Sequence, residues 1–107
     1  MDTKKYNKVI RDKIPEIIAD SGKKFNLKHL DDVSFLAEIE KKLIEEVNEY
    51  SESKDVEELA DILEVIYRIS ELKGVHSDEL DEIRKDKAEK RGKFASNLFL
   101  IDAEKKE

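Results

Sequence analysis

Two short acidic runs carry the residues whose types and spacing can do chemistry. The first holds Glu45, Glu46 and Glu49, and the second Glu58 and Asp61. Acids are common in this chain, with 27 Asp and Glu among 107 residues, so most must be solvated surface. Four of them, Glu46, Glu49, Glu58 and Asp61, are set apart by where a helix would put them. With Leu36 as origin and about 100° per residue, Phe35, Ile39, Leu43 and Val47 span an arc from roughly 260° through zero to 20°. Glu46 falls inside that arc at roughly 280°, Glu49 on its border at roughly 220°, and Glu45 on the polar side at roughly 180°. With Leu59 as origin, the second apolar arc runs from roughly 240° through zero to 60°. It encloses Glu58 at roughly 260°, with Asp61 on the border at roughly 200°.

Each helix therefore turns one acid into its apolar stripe and carries another three residues later, on a neighbouring surface position. A short turn between antiparallel helices would bring the two pairs together. Like charges that share a partly dry site repel and lose hydration, and a divalent cation removes that conflict. An all-oxygen ligand set of Glu46, Glu49, Glu58 and Asp61, without His or Cys, points to Mg²⁺ or Mn²⁺ rather than zinc. Inward carboxylates on facing helices are a known way to build such a site. Neither His29 nor His76 has the Glu-x-x-His spacing of a di-iron centre, and both are read as surface residues.

The elements that must position these acids follow from periodicity. Pro15 suits the first turn of a helix, predicted over Ile14 to Ser21 and ended by Gly22. Lys4 to Lys13 before it is expected to be irregular or extended, and Lys23 to Leu30 to be a short extended piece. A long helix is predicted from Ser34 to Tyr50, with Asp31, Asp32 or Ser34 as cap. After the polar stretch Ser51 to Lys54, a second runs from Asp55 to Lys73, with Val56, Leu59, Ile62, Leu63, Ile66 and Ile69 as its stripe. Gly74 stops it. Ser77 is expected to cap a fourth helix, Asp78 to Arg91, ended by Gly92. The tail holds Phe94, Leu98, Phe99, Leu100 and Ile101, an apolar cluster expected to dock on the bundle or on a partner chain. Tyr67 is read as packing and Asn97 as a loop residue.

Composition agrees with an all-α antiparallel bundle of about four helices in one domain over residues 1–107. Charged residues make up 45% of the chain, and Gly and Pro number only 3 and 1, too few for the turns of a β-sandwich. With 38% hydrophobic residues the core is thin, so we expect it to be completed in a homodimer or homotetramer. The net charge of −6 argues against polymeric nucleic acid as partner, while a cation can still bridge acid to phosphate. Without cysteine there are neither disulfides nor thiolate metal sites. No apolar run would span a membrane, and the polar, lysine-rich start is not followed by an apolar signal region. A soluble cytoplasmic protein is the expectation.

The run Glu45-Glu46-Val47-Asn48-Glu49, followed by Glu58-Leu59-Ala60-Asp61, resembles the E-E-x-x-E…E-x-x-D signature of the MazG-like, all-α nucleotide pyrophosphohydrolase superfamily. The opening Tyr6-Asn7-Lys8-Val9-Ile10-Arg11-Asp12-Lys13-Ile14-Pro15 is similar to the start of its phosphoribosyl-ATP pyrophosphohydrolase-like branch. Arg91-Gly92-Lys93-Phe94 resembles that branch's R-G-G-F ending, with Lys93 in place of a glycine. The likeness covers nearly the whole chain in order. It implies an oligomeric helical bundle that uses Mg²⁺ to hydrolyse a nucleotide to a monophosphate and pyrophosphate. It also implies Glu46, Glu49, Glu58 and Asp61 as metal ligands, with Glu45 supporting them or orienting the attacking water.

Phosphate needs cations as well. Arg11 and Lys13 near the start, and Lys87, Lys90, Arg91 and Lys93 near the end of the last helix, are the candidates to bind substrate. The late cluster also complements a helix C-terminus and needs no ligand for that. Arg11 and Lys13 are raised above a solvated turn by the family likeness alone. Substrate candidates are phosphoribosyl-ATP or a noncanonical nucleoside triphosphate. The competing reading is a non-catalytic helical interaction module that keeps a residual acidic site. The intact carboxylate set speaks against it.

Overall fold

In the computed structural model, which describes residues 3–105, four helices and no strand form the described part of the chain. They are α1 (Ile14–Asp20), α2 (Asp32–Ser53), α3 (Val56–Leu72) and α4 (Ser77–Arg91). The all-α architecture is as the periodicity predicts. Residues 23–30 are irregular and pair with no strand.

The centre of the fold is the α2–α3 hairpin. Asp31 starts α2 by accepting the Ser34 N–H at 2.8 Å, which satisfies a donor that the first turn leaves free. That bond holds the Asp31 carboxyl below its usual range. The helix outruns its predicted end by three residues and stops at Ser53. Ser51, Glu52 and Ser53 are polar but carry no helix breaker. Termination waits for Lys54, which takes the left-handed conformation (φ 60°) and donates its N–H to the Tyr50 carbonyl at 2.8 Å. Asp55 then caps α3 by accepting the Glu57 N–H at 3.1 Å. The predicted four-residue connection is therefore only Lys54 and Asp55, and the helices must run antiparallel.

α3 ends at Leu72, and Gly74 (φ 84°) makes the turn that an L side chain would resist. Ser70, buried in α3, donates its hydroxyl to the Val75 carbonyl at 2.7 Å and fixes the approach to α4. The cap of α4 is His76 rather than Ser77. Its Nδ1 accepts the Asp78 N–H at 3.2 Å, and Glu79 Oε1 accepts the His76 N–H at 3.4 Å. His76 is exposed, as expected, but it has a local structural task that its sequence neighbours did not suggest. An imidazole nitrogen can accept the hydrogen bond that a Ser or Asp oxygen usually does.

Packing between helices is confined to α2 against α3 and α3 against α4. α1 packs on none of the other helices. The apolar stripes meet in a narrow seam around Ile39 and Val65, which are 5% and 9% exposed. Beyond the seam the predicted stripe is open. Val47, Val56, Leu59 and Leu63 are exposed, and so is Ile44. The tail does not dock on its own bundle, since Phe94, Leu98, Phe99, Leu100 and Ile101 all project from it. No helix among the described residues is long and apolar enough to cross a membrane.

Candidate metal centre

The hairpin gathers the four acids singled out by spacing, and Glu45 with them. Glu45, Glu46 and Glu49 each offer a carboxylate oxygen to one group, and Glu46, Glu58 and Asp61 to another; within each group the oxygens lie within 4.8 Å of one another. Glu46 belongs to both. A hard cation holds oxygens at about 2.0–2.6 Å, so separations of this order suit ligands around one ion. These acidic groups can hold a metal ion.

Burial follows the helical wheel at Glu46 but not throughout, since Glu45 on the polar side is more enclosed than Glu49 on the border. Glu46, inside the stripe of α2, is 6% exposed. Glu45, Glu58 and Asp61 are partly buried, and Glu49 on the border is exposed. The short turn makes this convergence possible, because it fixes the register of α3 against α2.

Electrostatics sets Glu46 apart. Its Oε1 lies 3.1 Å from Lys42 Nζ, while Oε2 is buried and has no hydrogen-bond partner. A buried carboxylate oxygen left without a donor or cation is costly. A cation bound among these acids supplies the missing partner, so the residues present fit a divalent ion. Glu58 reports the same crowding. Its carboxyl is pushed above the usual glutamate value, first by desolvation and then by the charges of Glu49, Asp61, Glu46 and Asp55.

Two basic residues answer part of this charge. Lys42 bridges Glu46 and, at 3.5 Å, Glu45. Partial burial acts to lower the Lys42 pKa, but the hydrogen bond to Glu46 and the charges of Glu45 and Glu46 outweigh it, and the net shift is upward. Arg11 reaches across fifty residues of sequence to place Nη2 at 2.7 Å from Asp61 Oδ1. The irregular segment before α1 is thereby fastened to the acidic site.

Of the cations expected at a phosphate, the structure brings only Arg11 into hydrogen-bond contact with the cluster. Lys13, Lys87, Lys90, Arg91 and Lys93 are exposed and, among the described residues, make no ion pair with it. Lys42 is the site residue that sequence reasoning passed over. Its signal was available: a lysine four residues before Glu46 and three before Glu45 shares their helix face.

Compared with protein-family models, curated proteins and solved structures, the chain matches none of them.

Proposed function

We propose that this protein is a Mg²⁺-dependent nucleotide pyrophosphohydrolase of the MazG-like all-α class. It cleaves the α–β phosphoanhydride to give a nucleoside monophosphate and pyrophosphate, with phosphoribosyl-ATP or a noncanonical nucleoside triphosphate as substrate. The observation that carries the reading is the buried, partnerless Oε2 of Glu46 at the meeting point of five carboxylates. A purely structural hairpin gains nothing from such an arrangement, whereas a bound cation would supply the missing partner.

Glu46, Glu49, Glu58 and Asp61 would hold the ion, with Mn²⁺ as an alternative occupant. When bound, such an ion supplies positive charge and Lewis acidity at the phosphoryl oxygens. The remaining work falls to the chain's own side chains. Lys42 holds one Glu46 oxygen in an ion pair and fixes its rotamer. Glu45, partly open to solvent, orients the attacking water and takes its proton. Arg11 has one guanidinium nitrogen on Asp61 and further donors for a phosphate oxygen, which its planar fork suits. Lys13 is assigned to the phosphates by the family likeness, and Lys87, Arg91 and Lys93 by their clustered charge at the end of α4.

The test is pyrophosphate release from a panel of nucleoside triphosphates and phosphoribosyl-ATP, with Mg²⁺ and with chelator. Glu58→Gln keeps the shape of the side chain and removes a charge. We expect metal-dependent release that this substitution lowers at least a hundredfold, on the order of 3 kcal/mol of transition-state stabilisation. If no substrate is cleaved and Mg²⁺ leaves the melting temperature unchanged, the non-catalytic interaction module is the better description.

A further inference from the structure

A cavity of about 270 Å³ lies between the segment preceding α1 and the outer face of α2. Tyr6, Asn7 and Lys8 line it on one side, and Lys41, Lys42 and Glu45 on the other. Its size is close to the lower end of small-molecule sites, about 300 Å³. Two of its wall residues, Lys42 and Glu45, also belong to the acidic centre through their ion pair and the Glu45–Glu46–Glu49 group. The cavity therefore opens directly beside the carboxylates.

We propose that this cavity is the binding site for the nucleoside end of a nucleotide whose phosphates lie at the acidic centre. The inference rests on the reading of that centre as a cation and phosphate site, and adds what surrounds the organic part of the substrate. Tyr6 offers an exposed aromatic ring at the cavity wall, suited to stacking on a base. The ring is already attractive to cations, with Lys4 and Lys8 Nζ 5.0 and 5.7 Å from its centroid. Asn7 supplies an amide with both donor and acceptor, as reading a base edge requires. Its backbone lies in the left-handed region (φ 46°), which asparagine enters more readily than other non-glycine residues. The Arg11–Asp61 ion pair pins the same segment to the hairpin, so the wall is anchored at the end next to the metal ligands.

The experiment separates the two ends of the ligand. Titration calorimetry with Mg²⁺ compares inorganic pyrophosphate with the α,β-methylene analogues of ATP, GTP, CTP and UTP, which resist cleavage at that bond. The full-length protein should bind at least one analogue tenfold or more tighter than pyrophosphate. Tyr6→Ala and Asn7→Gly should erase most of that difference and leave pyrophosphate binding unchanged. Glycine accepts the left-handed backbone at residue 7, so Asn7→Gly removes the amide without straining the segment, and Tyr6→Phe should retain the difference. Analogue binding that neither Tyr6→Ala nor Asn7→Gly weakens overturns the cavity assignment while leaving the acidic centre intact. Failure of every probe, pyrophosphate included, overturns the reading of the centre and the cavity assignment together.

Discussion

Glu46 and Glu58 face the same conflict and resolve it differently. Glu46 is buried and borrows one cation, Lys42, for one of its two oxygens. Glu58 is less enclosed and carries the strain as a raised pKa. A carboxyl whose folded pKa lies above its unfolded value binds its proton more tightly in the folded state. Its stabilising contribution is present below the ordinary glutamate value, about 4.3, and is lost as pH rises through the higher folded value. In chelator, the melting temperature should therefore fall across that window more steeply for the wild type than for Glu58→Gln. Mg²⁺ should recover the loss, and the recovery should grow with pH as the carboxyl ionises. Parallel melting curves for the two proteins at every pH would refute this account of Glu58.

The elements were readable from the sequence to different degrees, for physical reasons. The α2–α3 hairpin and its acidic face follow from apolar spacing, because period and burial are tied on a long amphipathic helix. Glu46 is the clearest case, lying where the wheel puts it. The end of α2 was missed because nothing in Ser51-Glu52-Ser53 distinguishes a polar last turn from a polar loop. His76 was missed because histidine is an uncommon cap. Lys42 is hard to single out because a lysine at i−4 from a glutamate is usually just a solvated surface pair. The Arg11–Asp61 bridge lies beyond any local pattern. The two-residue turn makes one demand that is testable by itself. Asp55 is the only side-chain cap of α3, and Asp55→Ala should cost about 1 kcal/mol in denaturant unfolding. Asp55→Asn, an equally good cap, should cost little. Fraying the first turn of α3 disturbs Glu58 three residues on, so Asp55→Ala should also weaken the Mg²⁺-induced rise in melting temperature.

At the scale of the molecule, the described chain is long and thin. Its extents are 65 × 32 × 27 Å and its radius of gyration is 19.1 Å, against about 13 Å for a compact chain of 100 residues. Among the described residues only Ile39 and Val65 are buried apolar side chains, while Ile44, Val47, Leu59 and Leu63 on the hairpin and five residues of the tail are exposed. So little buried surface leaves a chain of this length marginal. We expect a second copy to cover these faces. Light scattering should give at least twice the chain mass, and Ile44→Asp with Leu63→Asp should dissociate the assembly and lower the melting temperature together. A monomeric wild type at working concentration would overturn that expectation. The two-residue turn also has a kinetic consequence. Glu46 and Asp61 are near neighbours in sequence as well as in space, so a small loop closes between them. Contacts of such low sequence separation form early in folding, on the microsecond scale of helical hairpins. Association between copies, where it occurs, is expected to be a later, concentration-dependent step. The acidic cluster should therefore assemble in the nascent hairpin first, and we expect Mg²⁺ to speed refolding in a step independent of protein concentration.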